Sequence, residues 1–415
     1  MIPHYHPPYG LARAAAALLS PWPAPEVADL ERGYADHCGV ADAVLVPAVR
    51  SAILLLLRAA LPAGGLAVGP SFTCMVVHEA MLGSGMRTRF VEPEGGSFLP
   101  SAAALRANAE PGCALVVSEL YGMENGGDLL SALDDMSPAI CILDAAMGIP
   151  DSARLRALRP RDVALVSFGM GKSQCAGGGG IALFADRALA SRVRAARDVM
   201  LAESGARQSL KDDLKFLAGL ALRSRPLARH AAALRASAGR VPAPPATATP
   251  GAPAPSGAAS APRVWLSPEW THRLTRAQRR LVARNLAAAP RSASLRREQA
   301  ATYLRHLQPL GITAGVAAQA LPQSHFPIRV PAAQREPLRA KLHAAGFDTG
   351  DEFPISGALR ARDYPRAYEV SREVITLPMG ERVSVREIET LCDVIAAALA
   401  QMPMNVGSGS AQTAL

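Results

Sequence analysis

Short apolar runs alternate with segments of helical periodicity between residues 41 and 190. Helical patterns at Arg50–Leu61 and Thr73–Ser84 separate the first three runs. Buried strands that alternate with helices are typical of a mostly parallel sheet with helices on its faces. The sequence therefore predicts an α/β domain whose ligands bind at the carboxyl ends of the strands. The predicted strands are Val44–Pro47, Leu66–Gly69, Thr88–Glu92, Ala114–Ser118, Ala139–Leu143, Val163–Ser167 and Ile181–Phe184.

The pattern changes in the second half of the chain. Residues 186–238 are helical, residues 239–262 are rich in Ala, Pro, Gly and Ser, and residues 274–308 form a long basic helical stretch. Strands and helices then alternate again. The predicted elements of this last part are His325–Val330, Arg335–Ala345, Val374–Leu377 and Val385–Ala400.

These changes in pattern divide the chain into four parts. A segment rich in Ala, Pro, Gly and Ser is typical of a linker or surface loop, and a polar chain end is typically disordered. We predict a large domain at 1–238, a linker at 239–262, a helix with a small α+β domain at 263–402, and a disordered tail at 403–415.

The composition is that of a globular protein with a basic balance. The 415 residues are 49% hydrophobic and 19% charged, which excludes collagen-like, disulfide-rich miniprotein and wholly disordered chains. The formal net charge is +9, but the basic residues are spread along the chain. One group of arginines at helical spacing is predicted to be a solvent-exposed helix face rather than a nucleic-acid site, so no nucleic-acid partner is expected. That group consists of Arg276, Arg279, Arg280 and Arg284.

Six cysteines are scattered along the chain without a CxxC pair or a Cys/His spacing typical of zinc. We therefore expect buried thiols and no metal site. The first residues lack the basic region of a signal peptide, and no apolar run reaches the ~18–20 residues that span a bilayer. A cytoplasmic protein without membrane contact is predicted.

Lys172 lies in a short loop between two predicted strands, and four glycines at 177–180 lead into the second strand. Only four of the 44 basic residues are lysines. Because arginine neither forms a Schiff base nor loses its proton near neutral pH, a lysine at this place indicates that the amine itself is needed. The alternative is a solvated surface lysine. A phosphate-binding P-loop is excluded, because Val166 stands where that motif needs glycine.

Asp144 follows an apolar strand and is the second candidate. A carboxylate at such a place is often a helix cap, which is the alternative interpretation. A lysine Schiff base with an Asp that faces a pyridinium nitrogen is the protein signature of pyridoxal phosphate (PLP) chemistry. The order of Asp144, Ser167, Lys172 and the glycine run fits this signature.

The segment from Pro47 to Ile53 opens a helix directly after a strand. Backbone amides at a helix start bind phosphate groups. Arg50 could add a charge-assisted contact there, and Ser51 a hydroxyl. Any helix can begin in this way, so the segment supports a phosphate site only beside the other two elements.

Together these residues resemble the DegT/StrS-type sugar aminotransferases, a PLP-dependent family of fold type I. The resemblance runs from about Val40 to about Ala400. Its most specific part is the spacing from Ser167 to Lys172, with the glycines that follow. Other stretches that resemble family elements are Ala48–Ile53, Val68–Ala80, Arg89–Glu92, Leu120–Gly122, Asp144–Ala146 and Ile375–Met379.

The resemblance implies a fold and a set of roles. The fold would be PLP fold type I, with a mostly parallel central sheet flanked by helices and a smaller C-terminal α+β domain. Lys172 would form a Schiff base with the cofactor and move protons, and Asp144 would pair with the pyridinium nitrogen. Ser167 and the amides around Arg50 and Ser51 would bind the cofactor phosphate. By analogy with the family, Tyr364 and Tyr368 would lie in a loop that faces the substrate, and ordinary packing is the alternative.

Four places differ from the family pattern. Cys74 stands where a ring-stacking side chain is usual, and Met147 stands where Gln or His is usual near the ring. Gly178 replaces a glutamate within the glycine run. A family Asn that reaches across the dimer is replaced near Thr271, His272 and Arg273. Lys172 and Asp144 are intact, but the departures motivate a second hypothesis, in which the chain is a degenerate, non-catalytic family member.

The reaction that the resemblance implies is a ping-pong transamination. Glutamate would typically donate the amino group, and a keto-sugar, usually nucleotide-linked, would receive it in polysaccharide or antibiotic biosynthesis. Family members are usually homodimers. A PLP enzyme of another reaction type is a further alternative. Sugar dehydratases of this fold carry histidine in place of the lysine, so Lys172 argues against that type.

Overall fold

The computed structural model describes residues 1–402 except positions 6, 125, 150–154, 202–204, 228–269, 319, 351, 352 and 354. The predicted linker at 239–262 and tail at 403–415 lie outside the described residues. The division into domains at 1–238 and 263–402 therefore stays a prediction.

A seven-stranded sheet forms the centre of the molecule. Its strand order is β1-β7-β6-β5-β4-β2-β3, and only β7 runs antiparallel to its neighbours. Each predicted strand is present with ends shifted by at most two residues, so the predicted α/β class with a mostly parallel sheet is confirmed. The strands are β1 (Asp42–Val46), β2 (Leu66–Pro70), β3 (Arg87–Val91), β4 (Ala114–Ser118), β5 (Ile140–Asp144), β6 (Asp162–Ser167) and β7 (Gly180–Phe184).

Helices cover both faces of this sheet. Because successive strand side chains point to opposite faces, Leu115 and Val117 enter one apolar cluster while Val116 enters the other. The described part of the predicted helical stretch 186–238 is divided, since Gly205 caps a new helix after Met200. Residues 228–238 of that stretch lie outside the described residues. The helices are α1 (Leu11–Leu19), α2 (Val27–Cys38), α3 (Val49–Ala60), α4 (Met75–Gly83), α5 (Ala102–Asn108), α6 (Gly126–Ser131), α7 (Arg187–Met200), α8 (Ala206–Leu222) and α9 (Arg276–Leu307).

The long helix α9 begins with a capping box, in which Thr275 and Gln278 satisfy each other's backbone amides. The predicted solvated arginine face is wrong for two of its members. Arg279 donates to the Pro25 carbonyl at 2.7 Å, and Arg280 donates to the Ala17 carbonyl at 2.7 Å. These arginines hold the N-terminal helices against α9.

The C-terminal part contains a two-stranded antiparallel sheet with helices packed on it, as predicted. The expected loop around Tyr364 and Tyr368 is wrong, because Pro365 occupies the first position of a helix, where its missing N–H costs nothing. The elements are β8 (Phe326–Arg329), α10 (Ala332–Ala344), α11 (Pro365–Glu373), β9 (Val374–Leu377) and α12 (Val385–Ala400).

In the described ranges of the chain, no helix is long and apolar enough to cross a membrane. No group of three or more His, Cys, Asp or Glu side chains in those ranges is arranged to hold a metal ion.

Candidate active site

A cavity of about 710 Å³ opens at the carboxyl ends of the parallel strands. Such an edge is the expected place for a ligand in an open α/β sheet. Six of the seven predicted site residues line it: Arg50, Cys74, Asp144, Met147, Ser167 and Lys172. The seventh, Ser51, is not part of the lining.

Three adjacent strands end in polar residues at this cavity. Ser118, Asp144 and Ser167 are the last residues of β4, β5 and β6. Ser118 and Asp144 are direct partners in the parallel ladder, so their side chains lie beside each other on one face. Ser118 also hydrogen-bonds the Thr73 hydroxyl at 2.8 Å. The wall of the cavity therefore follows from the strand register.

The Lys172 loop is closed by backbone hydrogen bonds. Phe168 donates to the Gly179 carbonyl at 2.9 Å, and Ala176 donates to the Phe168 carbonyl at 2.8 Å. Gly177 and Gly179 have φ values of 92° and 88°, which a residue with a side chain rarely adopts. The glycines thus allow a tight return that carries Lys172 into the cavity.

Two residues support this loop from outside. Ser173 Oγ donates to the carbonyls of Met147 and Gln323, both at 3.0 Å. Asn285 Nδ2 on α9 donates to the carbonyls of Gln174 and Cys175 at 3.0 and 2.8 Å. Lys172 itself is half-buried, and its charge acts on Asp144. These contacts distinguish it from a solvated surface lysine.

Asp144 is 93% buried, and its Oδ1 accepts a hydrogen bond from the Ala146 amide at 3.2 Å. Burial raises the pKa of this carboxyl, and the positive charge of Lys172 opposes the rise. A turn rather than a helix follows Asp144, so the helix-cap interpretation does not apply.

At the start of α3, the side chains of Ser51 and Arg50 have contacts that the sequence did not predict. Ser51 Oγ donates to the Trp270 carbonyl at 2.9 Å and is fully buried. The Arg50 guanidinium carbon lies 3.8 Å from the centre of the Trp270 ring, and its Nη1 lies 3.4 Å from Glu79 Oε2. Trp270 therefore covers the beginning of α3, and the amides of its first turn remain the candidate phosphate contacts.

The two departures near the predicted ring position lie in the cavity wall. Cys74 caps α4 and is only partly buried, unlike the other five cysteines. Met147 is buried in an apolar cluster with Phe72, Tyr121 and Phe353. Both side chains offer apolar contact to a flat ring.

The third departure, Gly178, lies against a glutamine. A side-chain carbon at position 178 would stand 3.1 Å from Gln278 Nε2. Gln278 lines the cavity, and its Oε1 accepts from the Thr275 amide at 2.9 Å. The wall at this point is therefore built by Gln278.

One wall of the cavity, which is a face of α8, was not predicted from the sequence. Its members recur at helical spacing, and Lys215 is one of only four lysines in the chain, so the signal was present. Phe216 packs directly on Gly177, whose added Cβ would lie 2.7 Å from the Phe216 ring. The cavity residues of α8 and the turn that follows it are Asp212, Lys215, Phe216, Gly219 and Arg223.

A segment after residue 269 completes this side of the cavity. Trp270, His272 and Arg273 line it. His272 Nδ1 lies 3.4 Å from Asp212 Oδ2. The segment thereby joins α8 to the start of α3, where Trp270 lies.

These residues fit pyridoxal phosphate. The cofactor requires an amine for its aldehyde, an acid for its ring nitrogen and a site for its phosphate. Lys172 would supply the amine, the buried Asp144 the acid, and the first turn of α3 with Ser167 the phosphate site. Gly180 lets β7 approach α3 closely, since a Cβ there would lie 3.0 Å from Val49 Cγ2.

Solved structures of known proteins share the fold of this chain. DesV of S. venezuelae is 22% identical over 94% of both chains, with a TM-score of 0.67. The sugar aminotransferase CalS13 from Micromonospora echinospora is 19% identical, with 96% of this chain and 100% of that chain covered and a TM-score of 0.66. Helicobacter pylori PseC, an aminotransferase involved in pseudoaminic acid biosynthesis, is 13% identical, with 97% and 100% covered and a TM-score of 0.66.

The structural likeness at these identities shows the fold, which is PLP fold type I. No curated protein matches the chain in sequence. The model of the DegT/DnrJ/EryC1/StrS aminotransferase family matches residues 14–236, which is more than half of the chain. The chain therefore belongs to the DegT/DnrJ/EryC1/StrS family, whose enzymes are PLP-dependent aminotransferases.

Proposed function

We propose that this aminotransferase moves an amino group from glutamate to the ketone of a nucleotide-linked sugar. The observation that carries the proposal is the position of Lys172 and Asp144, which share one cavity at the carboxyl edge of the sheet. Lys172 Nζ would hold the cofactor covalently as a Schiff base and then move the proton at the substrate carbon. Donor and acceptor would use the same cavity in turn.

The other predicted site residues hold the cofactor in this proposal. When bound, pyridoxal phosphate supplies an electron sink for the bond broken at the substrate carbon. Asp144 would accept the hydrogen bond of the ring nitrogen and keep it protonated. Ser167 and the first turn of α3 would bind the phosphate, with Arg50 adding positive charge, and Cys74 and Met147 would contact the ring.

The positively charged side chains on the α8 side of the cavity support an anionic amino acceptor. Three cationic side chains line the cavity there: Lys215, Arg223 and Arg273. Asp212 lines it as well, and its carboxylate lies beside the His272 ring. A nucleotide-linked sugar carries a diphosphate that such side chains bind by charge-assisted hydrogen bonds. The cavity volume lies within the roughly 300–1,000 Å³ of small-molecule sites.

Replacing Lys215 and Arg223 with alanine together is expected to raise the KM for a nucleotide-linked keto-sugar by about 100-fold or more, since two charged hydrogen bonds of about 1.5–3 kcal/mol each are lost. Steady-state kinetics with each substrate varied would measure it. Lys211→Ala is the matched control, because Lys211 lies on the same helix, is exposed and does not line the cavity. An equal rise in the KM for glutamate would contradict the assignment to the acceptor.

We also propose a homodimer in the cytoplasm. Leu210 and Leu214 on α8 are 52% and 53% exposed, and an exposed apolar face suits a second copy. All six cysteines lie within the described residues and none forms a disulfide, which suits a reducing compartment.

The visible absorption of the purified enzyme with added pyridoxal phosphate tests the proposed function. Glutamate alone is expected to bleach the band of the lysine-bound cofactor and to release 2-oxoglutarate in an amount equal to the cofactor. A nucleotide-linked keto-sugar should then restore the band. A band that glutamate leaves unchanged would rule out glutamate as donor, and no band at all would sink the proposed role of Lys172.

A further inference from the structure

The first residues of the chain pair with the backbone of its C-terminal part. The Ile2 amide donates to the Gly346 carbonyl at 2.8 Å, and the Asp348 amide donates to the Ile2 carbonyl at 2.9 Å. Further along, Tyr5 forms a parallel bridge with Met379. Ile2 accordingly belongs to the apolar cluster that contains β8, β9 and their helices.

His4 strengthens this attachment. Its Nε2 hydrogen-bonds the Thr376 hydroxyl on β9 at 2.8 Å. Its ring stacks on His325, just before β8, with 4.2 Å between ring centres and 19° between planes. The segment is thus bound to β9 and to the residue that precedes β8.

The same segment then reaches the Lys172 loop. The Tyr5 hydroxyl donates to the backbone carbonyl of Lys172 at 3.3 Å, and the Tyr9 hydroxyl donates to that of Cys175 at 2.6 Å. Both tyrosines belong to an apolar cluster under the central sheet, whereas Ile2 belongs to the C-terminal cluster. One short stretch of chain therefore connects two cores, and it ends on the loop that carries the candidate catalytic amine.

We propose that Tyr5 and Tyr9 are positioning residues for Lys172, and that the N-terminal segment makes the placement of the lysine loop depend on the C-terminal sheet. The proposal rests on the proposed function in one respect, the role of Lys172. Asn285 and Ser173 also hold the loop, but neither lies on the N-terminal segment. A displacement of about 1 Å at a reacting group can cost about 100-fold in rate, so a fixed loop matters.

The chemistry of the two phenols suits this task. Burial, with the nearby Cys175 thiol as the next cause, raises the pKa of both Tyr5 and Tyr9 above the usual range. Both hydroxyls therefore stay protonated at neutral pH. They remain donors to the two loop carbonyls, independent of the titration of the catalytic groups.

Hydrogen–deuterium exchange of the loop peptide 168–179 tests the proposal in the full-length protein, with and without pyridoxal phosphate. Tyr5→Phe with Tyr9→Phe is expected to speed exchange of this peptide by roughly tenfold, because two loop hydrogen bonds are lost. In the loaded enzyme, kcat should fall while the KM for glutamate stays within about twofold. His4→Ala leaves both hydroxyls in place and should also speed exchange, because it loosens the segment from the C-terminal sheet.

Tyr303→Phe is the matched control. Tyr303 is fully buried, and its hydroxyl donates to the Pro378 carbonyl at 2.8 Å within the C-terminal cluster. The Tyr303→Phe variant should lower the melting temperature about as much as the Tyr5/Tyr9 variant does, without changing hydrogen–deuterium exchange of the loop peptide.

The proposal is overturned if the Tyr5/Tyr9 variant lowers only the melting temperature, if His4→Ala leaves loop exchange unchanged, or if Tyr303→Phe has the same effect on the loop. Because exchange is also measured without cofactor, these outcomes are separate from a failure of glutamate to react, which would overturn the proposed function alone.

Discussion

Lys172→Ala is expected to abolish transamination and to leave the fold intact. Loss of proton transfer at the substrate carbon alone removes about 10²–10⁴-fold in rate, and loss of the covalent attachment adds to it. The side chain is only half-buried. We therefore expect the melting temperature of the cofactor-free protein to change by no more than about 2–4 °C. The pKa of Asp144 should rise further, because the charge of Lys172 lowers it in the wild type.

Two controls separate the amine from the charge at this position. Lys172→Arg keeps a positive charge but offers no reactive amine, so it should be as inactive as the alanine variant. Lys211→Ala removes an exposed lysine outside the cavity and should be fully active. Added methylamine should restore part of the activity of Lys172→Ala. A Lys172→Arg variant with substantial turnover would show that the position supplies charge only.

The central sheet could be predicted because its signal is local. Parallel strands are buried on both faces and read as continuous apolar runs, as in Ala114–Ser118 and Ile140–Asp144. The lysine loop was equally visible, since glycines at 177 and 179 mark a backbone that other residues rarely adopt. In these elements, the residues of each short stretch are enough to predict its local structure.

The rest of the candidate site depends on contacts between distant residues. Ser51 was expected to present its hydroxyl to a phosphate, but Trp270 takes that hydroxyl from 219 positions away. Arg279 and Arg280 have the polar character of a solvent face and instead bind carbonyls of the N-terminal helices. The cavity wall formed by α8 was not predicted, because helical spacing shows that its residues share one face but does not show what that face contacts. Local patterns identify the chemistry, while the tertiary fold decides which side chains are available for it.

Asp144→Asn is expected to change activity and stability in opposite directions. A neutral amide does not keep the ring nitrogen protonated, and removal of one partner of a buried charged hydrogen bond typically costs about 2–5 kcal/mol. That corresponds to a fall in kcat of roughly 30- to several-thousand-fold. In the cofactor-free protein, however, the wild-type carboxyl has a pKa raised by burial, so its ionised form opposes folding.

The sign of the pH dependence follows from that raised pKa. The stability contributed by the protonated Asp144 is fully present below the unfolded pKa, which is about 3.9, and is lost as pH rises through the folded pKa. Asp144→Asn lacks this titration, so its free energy of unfolding should exceed that of the wild type increasingly as pH rises above about 4. Urea unfolding of both cofactor-free proteins between pH 4 and pH 8 would measure the difference.

Asp213→Asn is the matched control for this experiment. Burial raises the pKa of Asp213 as well, but its carboxylate accepts the Thr275 hydroxyl at 2.6 Å and does not line the cavity. It should shift stability in the same direction and leave kcat unchanged. If Asp144→Asn retained full activity, or if Asp213→Asn lost as much, burial alone would account for Asp144. We expect that only Asp144→Asn loses activity and that its cofactor-free form gains stability. This combination is expected of a carboxylate that is buried because it binds the cofactor.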